Sequence, residues 1–259
     1  MKSYQYLILV LVFLLQSCAF FSKLSSSKGI SEGSLYSDKS VFQLEDKTGT
    51  FQVKRDIGFA KEGKSFVVKE KINSNDGESK PLEKLISISK AGKVKGIGLL
   101  RPEVSQYTVW FSGKKYFSES RLNKKNRSMI VKLISPEEQW SGEREFKFPD
   151  SKGYYCYFSQ VVECASYSGF LQKAMNTESG VMNFHIIWEG YPYIQEQYLN
   201  MPDEFFSKAQ LSYDGKNKLG EYRFSLSFGS QVIFYFVDKK GRMIKRLWIA
   251  QGYSLIKQN

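Results

Sequence analysis

The stretch Tyr222-Arg-Phe-Ser-Leu-Ser-Phe228 alternates large apolar and polar side chains without a break. Successive side chains of a β-strand point to opposite faces, so this pattern predicts a strand with one apolar and one solvated face. The next apolar segment, Gln231 to Val237, leads through the turn Asp238-Lys-Lys-Gly241 into another from Met243 to Ala250. Two apolar segments joined by a polar turn that ends in glycine predict a β-hairpin. The C-terminal part of the chain is therefore expected to form an antiparallel sheet.

Outward from this stretch, most of the chain shows the same type of pattern. The segments are of ordinary strand length and are separated by Gly, Asn-Asp and Lys-Lys turns. Further strands are predicted at Phe51–Arg55, Phe66–Ile72, Leu85–Ser89, Val94–Leu100, Val104–Phe111, Met129–Ile134, Val181–Trp188, Tyr193–Leu199 and Ala209–Tyr213. Ala91-Gly92 is predicted as the turn between the third and fourth of these strands.

Residues 157–176 interrupt the strands, because their apolar side chains recur at threes and fours. That spacing predicts one or two short helices, with Gly169 as a break between them. The predicted fold is mainly β: a single large antiparallel sheet, open or half-barrel, or else two packed sheets, with this short helical connection.

The first residues have a different character. Lys2 precedes an apolar run from Leu7 to Leu15, which passes through Gln16 and Ser17 to Cys18. A positive start, a short apolar core and a small residue before the cut are typical of a secretory signal. The run is too short to favour a permanent membrane span.

The segment Leu15-Gln16-Ser17-Cys18 resembles the lipobox of bacterial lipoproteins, although Gln16 stands where that family usually has a small or apolar residue. The resemblance implies that residues 1–17 are a signal peptide and that Cys18 is lipidated and becomes the new N-terminus. In lipoproteins of Gram-negative bacteria, a residue other than aspartate after the cysteine permits sorting to the outer membrane, and Ala19 resembles such a signal. The implied location is the bacterial cell envelope, on the outer membrane facing the periplasm.

The residues that follow are rich in serine and glycine. We predict that residues 18–40 form the lipidated N-terminus and a flexible tether, and that residues 41–259 form the β-rich domain.

Basic residues exceed acidic ones, 38 to 26, and the excess is spread along the chain. Such charges either solvate strand faces and turns or meet an acidic partner. For an exported protein that partner is phospholipid or lipopolysaccharide phosphate, and export makes nucleic acid an improbable partner.

The number of cysteines also suits an exported protein. If Cys18 carries lipid, the remaining pair, Cys156 and Cys164, is predicted to form a disulfide. A metal site is the alternative, but a single histidine leaves too few ligands for zinc. No cofactor is expected.

Few residues suggest catalysis. Any mechanism that requires histidine depends on His185, which no nucleophile motif accompanies, so we expect it to be structural. Paired carboxylates could serve a hydrolase, but the acidic candidates have no distinguishing spacing. These candidates are Glu137, Glu138, Glu189 and Glu196.

Large aromatic side chains are concentrated around the helical connection. They either fill a wide β core or line a ligand or partner surface, and the sequence does not separate the two. The residues proposed for such a surface are Tyr155, Tyr157, Trp188, Tyr191, Tyr193 and Tyr198.

Long strands with one apolar face and a helical connection are similar in pattern to the half-barrel carriers of periplasmic lipoproteins. The leading hypothesis is a non-enzymatic envelope lipoprotein, anchored by its lipid, that binds a lipid-like ligand or an envelope protein. One alternative is a scaffold subunit of an outer-membrane complex without a pocket, and another is a hydrolase of cell-wall or lipid material. A cavity of a few hundred cubic ångströms between sheet and helix would favour the ligand binder, and a packed interior would favour the scaffold.

Overall fold

The computed structural model of the protein describes residues 35–60, 64–74 and 81–258. The predicted signal peptide, Cys18 and Ala19 lie outside the described residues. The described chain forms one sheet of fifteen strands, in the spatial order 8-7-6-5-4-3-2-1-15-14-13-12-11-10-9. The prediction of a mainly β protein with a single large sheet is confirmed. Strand β1 begins at Asp38, within the range predicted as tether.

The strands are Asp38–Asp46 (β1), Gly49–Phe59 (β2), Ser65–Ser74 (β3), Pro81–Val94 (β4), Ile97–Phe111 (β5), Lys114–Asn123 (β6), Ser128–Ile134 (β7), Gly142–Lys147 (β8), Tyr155–Tyr157 (β9), Val181–Ile187 (β10), Phe206–Lys216 (β11), Tyr222–Phe228 (β12), Gln231–Val237 (β13), Met243–Trp248 (β14) and Tyr253–Lys257 (β15). The α-helices are Val161–Tyr167 (α1), Phe170–Thr177 (α2) and Tyr193–Gln197 (α3), and short 3-10 turns lie at Glu138–Trp140, Phe158–Gln160 and Ile249–Gln251. Of the helices that the structure describes, none is long and apolar enough to span a bilayer.

Most neighbouring strands are antiparallel, and β9 pairs with β10 in parallel at one edge. Strand β12 has the alternation that its sequence predicts, because Phe224, Leu226 and Phe228 are buried while Arg223 is exposed. The predicted hairpin from Gln231 onward is also present, as β13 and β14.

The sheet is not closed, but aromatic contacts bring its two edge regions together. The ring of Phe146, in edge strand β8, stacks on Phe205 with ring centroids 4.8 Å apart. Phe148, just beyond β8, packs against Tyr155 of the opposite edge strand β9, with centroids 4.6 Å apart. The concave face therefore surrounds the helical connection between β9 and β10.

The helical connection fills the concave face. Gly169 has a φ of 80°, which ends α1 and separates it from α2 as predicted. All residues of α1 from Val161 to Ser166 are buried, as expected for a helix enclosed on all sides.

Two local predictions are wrong. The stretch predicted as a strand at Tyr193–Leu199 contains α3, because burying the Tyr193 ring against Trp140 and Tyr116 outweighs a short local alternation. The turn predicted at Ala91-Gly92 lies further along the chain, at Lys95 and Gly96, both with positive φ. Residues Ala91 to Val94 continue β4 instead.

Buried serines let the connection approach the sheet. Ser87 and Ser89 of β4 are fully buried, and their hydroxyl groups contact Ser159 and Gln160 of the connection at 2.6 Å. Ser118 donates to the carbonyl of Tyr191 at 3.0 Å. These hydroxyl groups provide hydrogen bonds to the buried backbone and side chains of the connection.

A buried ionic network holds α1 against the sheet. The Arg55 guanidinium of β2 donates to both carboxylate oxygens of Glu163, at 3.1 and 3.0 Å, and to the Ser159 carbonyl at 2.8 Å. Its Nε donates to Glu70 of β3 at 2.7 Å. Arg55 and Glu163 are nearly inaccessible to solvent, with relative exposures of 5% and 0%. One arginine thus connects two strands to the helix.

We predict that Arg55→Met lowers the free energy of unfolding by about 3–5 kcal/mol, because it leaves Glu163 buried without a counterion. The measurement is urea unfolding followed by circular dichroism. Arg121→Met is the matched control: its ion pair with Glu119 spans 2.9 Å, but the arginine is 66% exposed. The control should lose less than about 1 kcal/mol. Equal losses in the two variants would contradict the central role of Arg55.

Candidate functional site

An open groove of about 670 Å³ lies on the described part of the chain. Its walls come from the β4–β5 hairpin, the region of the β6–β7 turn and the loop from Phe148 to Tyr155 that joins β8 to β9. The volume is in the range of small-molecule sites.

The β4–β5 hairpin extends beyond its neighbours and so supplies one wall. Strand β3 pairs with β4 only as far as Lys90, and β6 pairs with β5 only from Val104 onward. The turn at Lys95 and Gly96 has φ values of 50° and 82°, which is the conformation of tight two-residue hairpin turns. A bulge between Ile88 and Ser89 breaks the register at the base of the extension.

The floor of the groove is apolar. Leu100 and Pro102 are buried, and Leu122, Phe148 and Tyr154 are partly buried beside them. Apolar side chains that line an open concavity offer contact area to a hydrophobic group.

The rim of the groove is basic. Its cations are Lys90, Lys93, Arg101, Lys124 and Arg127, and its one acidic residue is Asp150. No sequence pattern joins these cations, since each lies in a turn or on an exposed strand face. The basic stretches from Lys90 to Lys95 and from Lys124 to Arg127 are local signals of the set.

His185 lies behind the wall of the groove. Its ring stacks on Tyr155 with centroids 4.8 Å apart and an interplanar angle of 18°. Burial, and to a lesser extent Lys208, lower the pKa of His185, whereas Asp150 raises it. Neither ring nitrogen has a hydrogen-bond partner within the described chain. This environment favours a neutral packing residue, as the sequence predicts.

The six aromatic residues proposed for a ligand or partner surface are divided by the structure. Tyr157, Trp188 and Tyr193 are almost completely buried, and Tyr191 is buried as well. These four belong to the core, so the prediction that they form a surface is wrong, because the curled sheet needs large rings to fill its interior. Tyr155 lines the groove, and Tyr198 lines a small internal cavity.

The internal cavity lies between the sheet and the helical connection and has a volume of only about 40 Å³. It can hold water but not an acyl chain. The expectation of a ligand cavity in this position is therefore not met within the described residues. The space between the sheet and the helical connection is therefore packed, and the groove is the larger of these two spaces.

Carboxylates line this cavity. Burial raises the pKa of Glu83 to about 7, against a hydrogen bond from the Tyr107 hydroxyl at 2.9 Å that lowers it. Burial likewise raises the pKa of Glu189 to about 7, although Ser159 and the backbone N–H of Phe158 donate to it. Glu70 and Arg246 complete the charged lining.

The other carboxylate candidates do not join Glu189. Glu137 accepts from Lys114 at 3.0 Å at the surface, and Glu138 and Glu196 are exposed. Three carboxylates do line one cavity, but they are Glu70, Glu83 and Glu189, and His185 lines neither the cavity nor the groove.

Cys156 and Cys164 lie together, as the sequence predicts. Their sulfur atoms are 1.94 Å apart, at disulfide distance, and connect β9 to α1. Within the described residues, no group of three or more His, Cys, Asp or Glu side chains is arranged to hold a metal ion.

Comparisons with protein families, with curated proteins and with solved structures gave no match to this chain.

We predict that the stability contributed by Glu83 decreases with pH. Its pKa in the folded protein, about 7, is above the ordinary value of 4.5, so the folded state binds more protons between these values. The contribution is therefore complete below about pH 4.5 and is lost as the pH rises through 7. Between about pH 5 and 8 the wild type should lose roughly 2 kcal/mol more than Glu83→Gln.

The measurement is urea unfolding of both proteins across this pH range. Taking the difference between the two proteins removes the contribution of His185. The lowered pKa of His185 increases the stability of the folded protein as the pH rises, which is opposite to the effect of Glu83. Parallel pH profiles of wild type and Glu83→Gln would show that this carboxyl group is not perturbed.

Proposed function

We propose that this protein is a lipid-anchored protein of the bacterial cell envelope and that its groove binds a lipid-like ligand. The proposed location is the outer membrane, facing the periplasm. The leader that ends at Cys18 and the residue Ala19 support the location. The observation that carries the binding function is the groove of about 670 Å³ with its apolar floor.

The size and chemistry of the groove suit one part of an amphiphile. Leu99 and Leu122 offer aliphatic contact area, and Phe148 and Tyr154 add aromatic rings. Because the groove is open, a long chain can lie in it without being fully enclosed. A part of the ligand, such as its head group, can then remain in water.

The alternative function is that of a scaffold subunit of an outer-membrane complex. The packed interior favours it, since the cavity between sheet and helices is too small for a lipid. Its docking element would be an open edge such as β8. That strand carries Glu143, Arg144, Glu145 and Lys147, and charges of this kind protect edges against pairing with another strand. The groove therefore supports ligand binding more strongly than the edge supports docking.

The hydrolase alternative has little support from the geometry. Glu70, Glu83 and Glu189 line one cavity, but that space of about 40 Å³ admits water and no sugar or lipid group.

The anchor is tested by replacing the lipidated residue. We predict that Cys18→Ser abolishes lipidation and releases the protein from membranes, since one thioether carries the lipid. Membrane fractionation and intact mass measure this. If Cys18→Ser protein keeps its leader and stays with the membrane fraction, the leader is a membrane anchor and the lipoprotein assignment fails.

The groove is tested by filling it. Gly92 lines the groove, and a Cβ atom added there would meet no heavy atom within 4 Å. We predict that Gly92→Phe leaves the fold intact but reduces photo-crosslinking of an uncharged, diazirine-bearing long-chain alcohol to the groove by about tenfold, because its ring occupies part of the groove. Crosslinked peptides are identified by mass spectrometry of the full chain in phosphatidylcholine vesicles.

Gln52→Phe is the matched control, because Gln52 is exposed on β2, outside the groove. It should leave the crosslinks to Leu99 and Leu122 unchanged. Crosslinks distributed evenly over the surface, with the same yield in both variants, would contradict a ligand site in the groove.

A further inference from the structure

The rim of the groove has an excess of positive charge. Five cations face one acidic lining residue, Asp150. A second carboxylate, Glu103, lies beside the rim; it accepts a hydrogen bond from Arg101 at 3.0 Å and forms an ion pair with Lys124 at 3.7 Å. Apart from Lys93, four positive and two negative charges of the described chain leave an excess of about two positive charges at this site.

The rim cations differ in how far they are neutralised. Arg101 and Lys124 share one carboxylate, and both remain more than half exposed, at 53% and 67%. Within the described chain, Lys90 and Arg127 have no ion-pair partner. Lys90 comes from β4 and Arg127 from the turn before β7, so cations from separate elements border the same space.

The neighbouring apolar floor strengthens the effect of these charges. A concave site with low-dielectric walls concentrates the field of its charges and attracts ions of the opposite sign. The single negative charge of Asp150 does not cancel the field of the rim cations. One Asp150 carboxylate oxygen accepts a hydrogen bond from the backbone N–H of Lys152 at 2.8 Å.

We propose that the groove recognises an amphiphile with an anionic phosphate head group, with the phosphate between the rim cations and the acyl chain on the apolar floor. This proposal rests on the proposed function and specifies the ligand class. A phosphate monoester suits the site better than a carboxylate does, because a site with about two excess positive charges can accommodate more than one negative charge. Arginine, which two rim positions carry, binds phosphate oxygens through paired N–H groups.

The test uses the full chain in phosphatidylcholine nanodiscs. Calorimetric titration compares three soluble probes: dihexanoyl phosphatidic acid, dihexanoyl phosphatidylcholine and inorganic phosphate. Empty nanodiscs give the background. We expect phosphatidic acid to bind about tenfold more tightly than phosphatidylcholine and to weaken as salt is added. Inorganic phosphate should bind much more weakly, because it makes no contact with the floor.

The decisive variant is Lys90→Gln/Arg127→Gln, which removes the two unpaired cations. It should weaken the binding of phosphatidic acid about tenfold and that of phosphatidylcholine less than about twofold. Lys54→Gln/Lys218→Gln removes the same charge at exposed positions outside the groove and should change neither affinity. Near-ultraviolet circular dichroism checks that both variants are folded.

The remaining outcomes separate the two proposals. Phosphatidylcholine also carries a phosphate, but its choline group neutralises the charge. Equal affinities for both lipids that neither double variant alters would therefore overturn recognition of an anionic phosphate head group while leaving lipid binding in place. Inorganic phosphate that binds as tightly as phosphatidic acid, and equally well to Gly92→Phe, would identify a free-phosphate site and overturn the amphiphile. Absence of binding by all three probes, together with no crosslinking of the uncharged alcohol, would overturn the proposed function itself.

Discussion

The contact of Arg55 with Glu163 and Ser159 is the constraint on which the rest of the structure depends. It joins β2 to the connection between the two halves of the sheet, across more than a hundred residues of chain. A buried ion pair costs much of its Coulomb energy in lost hydration, so its net contribution to stability is small while the cost of breaking it is large. We infer that its main effect is positional. It sets where α1 lies, and Cys164 of that helix is in turn joined to Cys156 of edge strand β9.

Much of the fold follows from local pattern. The alternation around Phe224 predicts its strand correctly, and the spacing of apolar residues on both sides of Gly169 predicts two helices. Local pattern fails where distant parts of the chain meet. In β4 a simple alternation would bury Ile86 and Ile88, yet Ser87 and Ser89 face inward. Their small hydroxyl-bearing side chains bond to the connection, and no short window of sequence contains that partner.

The groove was hidden from sequence for a related reason. Its lining comes from residues near 90, 100, 125 and 150, which no periodicity connects. The position of the hairpin turn also matters, because a turn at Ala91-Gly92 would end β4 before it reaches the groove. The turn at Lys95-Gly96 lengthens both strands and creates a wall. Cations at such positions resemble ordinary turn residues until the fold places them around one apolar surface. The six aromatic residues proposed for a surface are easier to recognise in the sequence, but four of them are buried in the core.

The floor of the groove is continuous with the core, and this continuity bears on its role. Gly98 of β5 lies so close to the end of α1 that an added Cβ atom would be 2.1 Å from the Tyr167 carbonyl oxygen. The extended hairpin is thus held directly against the buried helix near its turn, and Leu100, two residues further, is fully buried. Because the floor is built from core packing, its apolar surface exists whether or not a ligand is present. An apolar surface that remains open to water is unfavourable unless a partner covers it. A ligand with an apolar chain relieves that cost, and the surrounding cations determine which head group it carries.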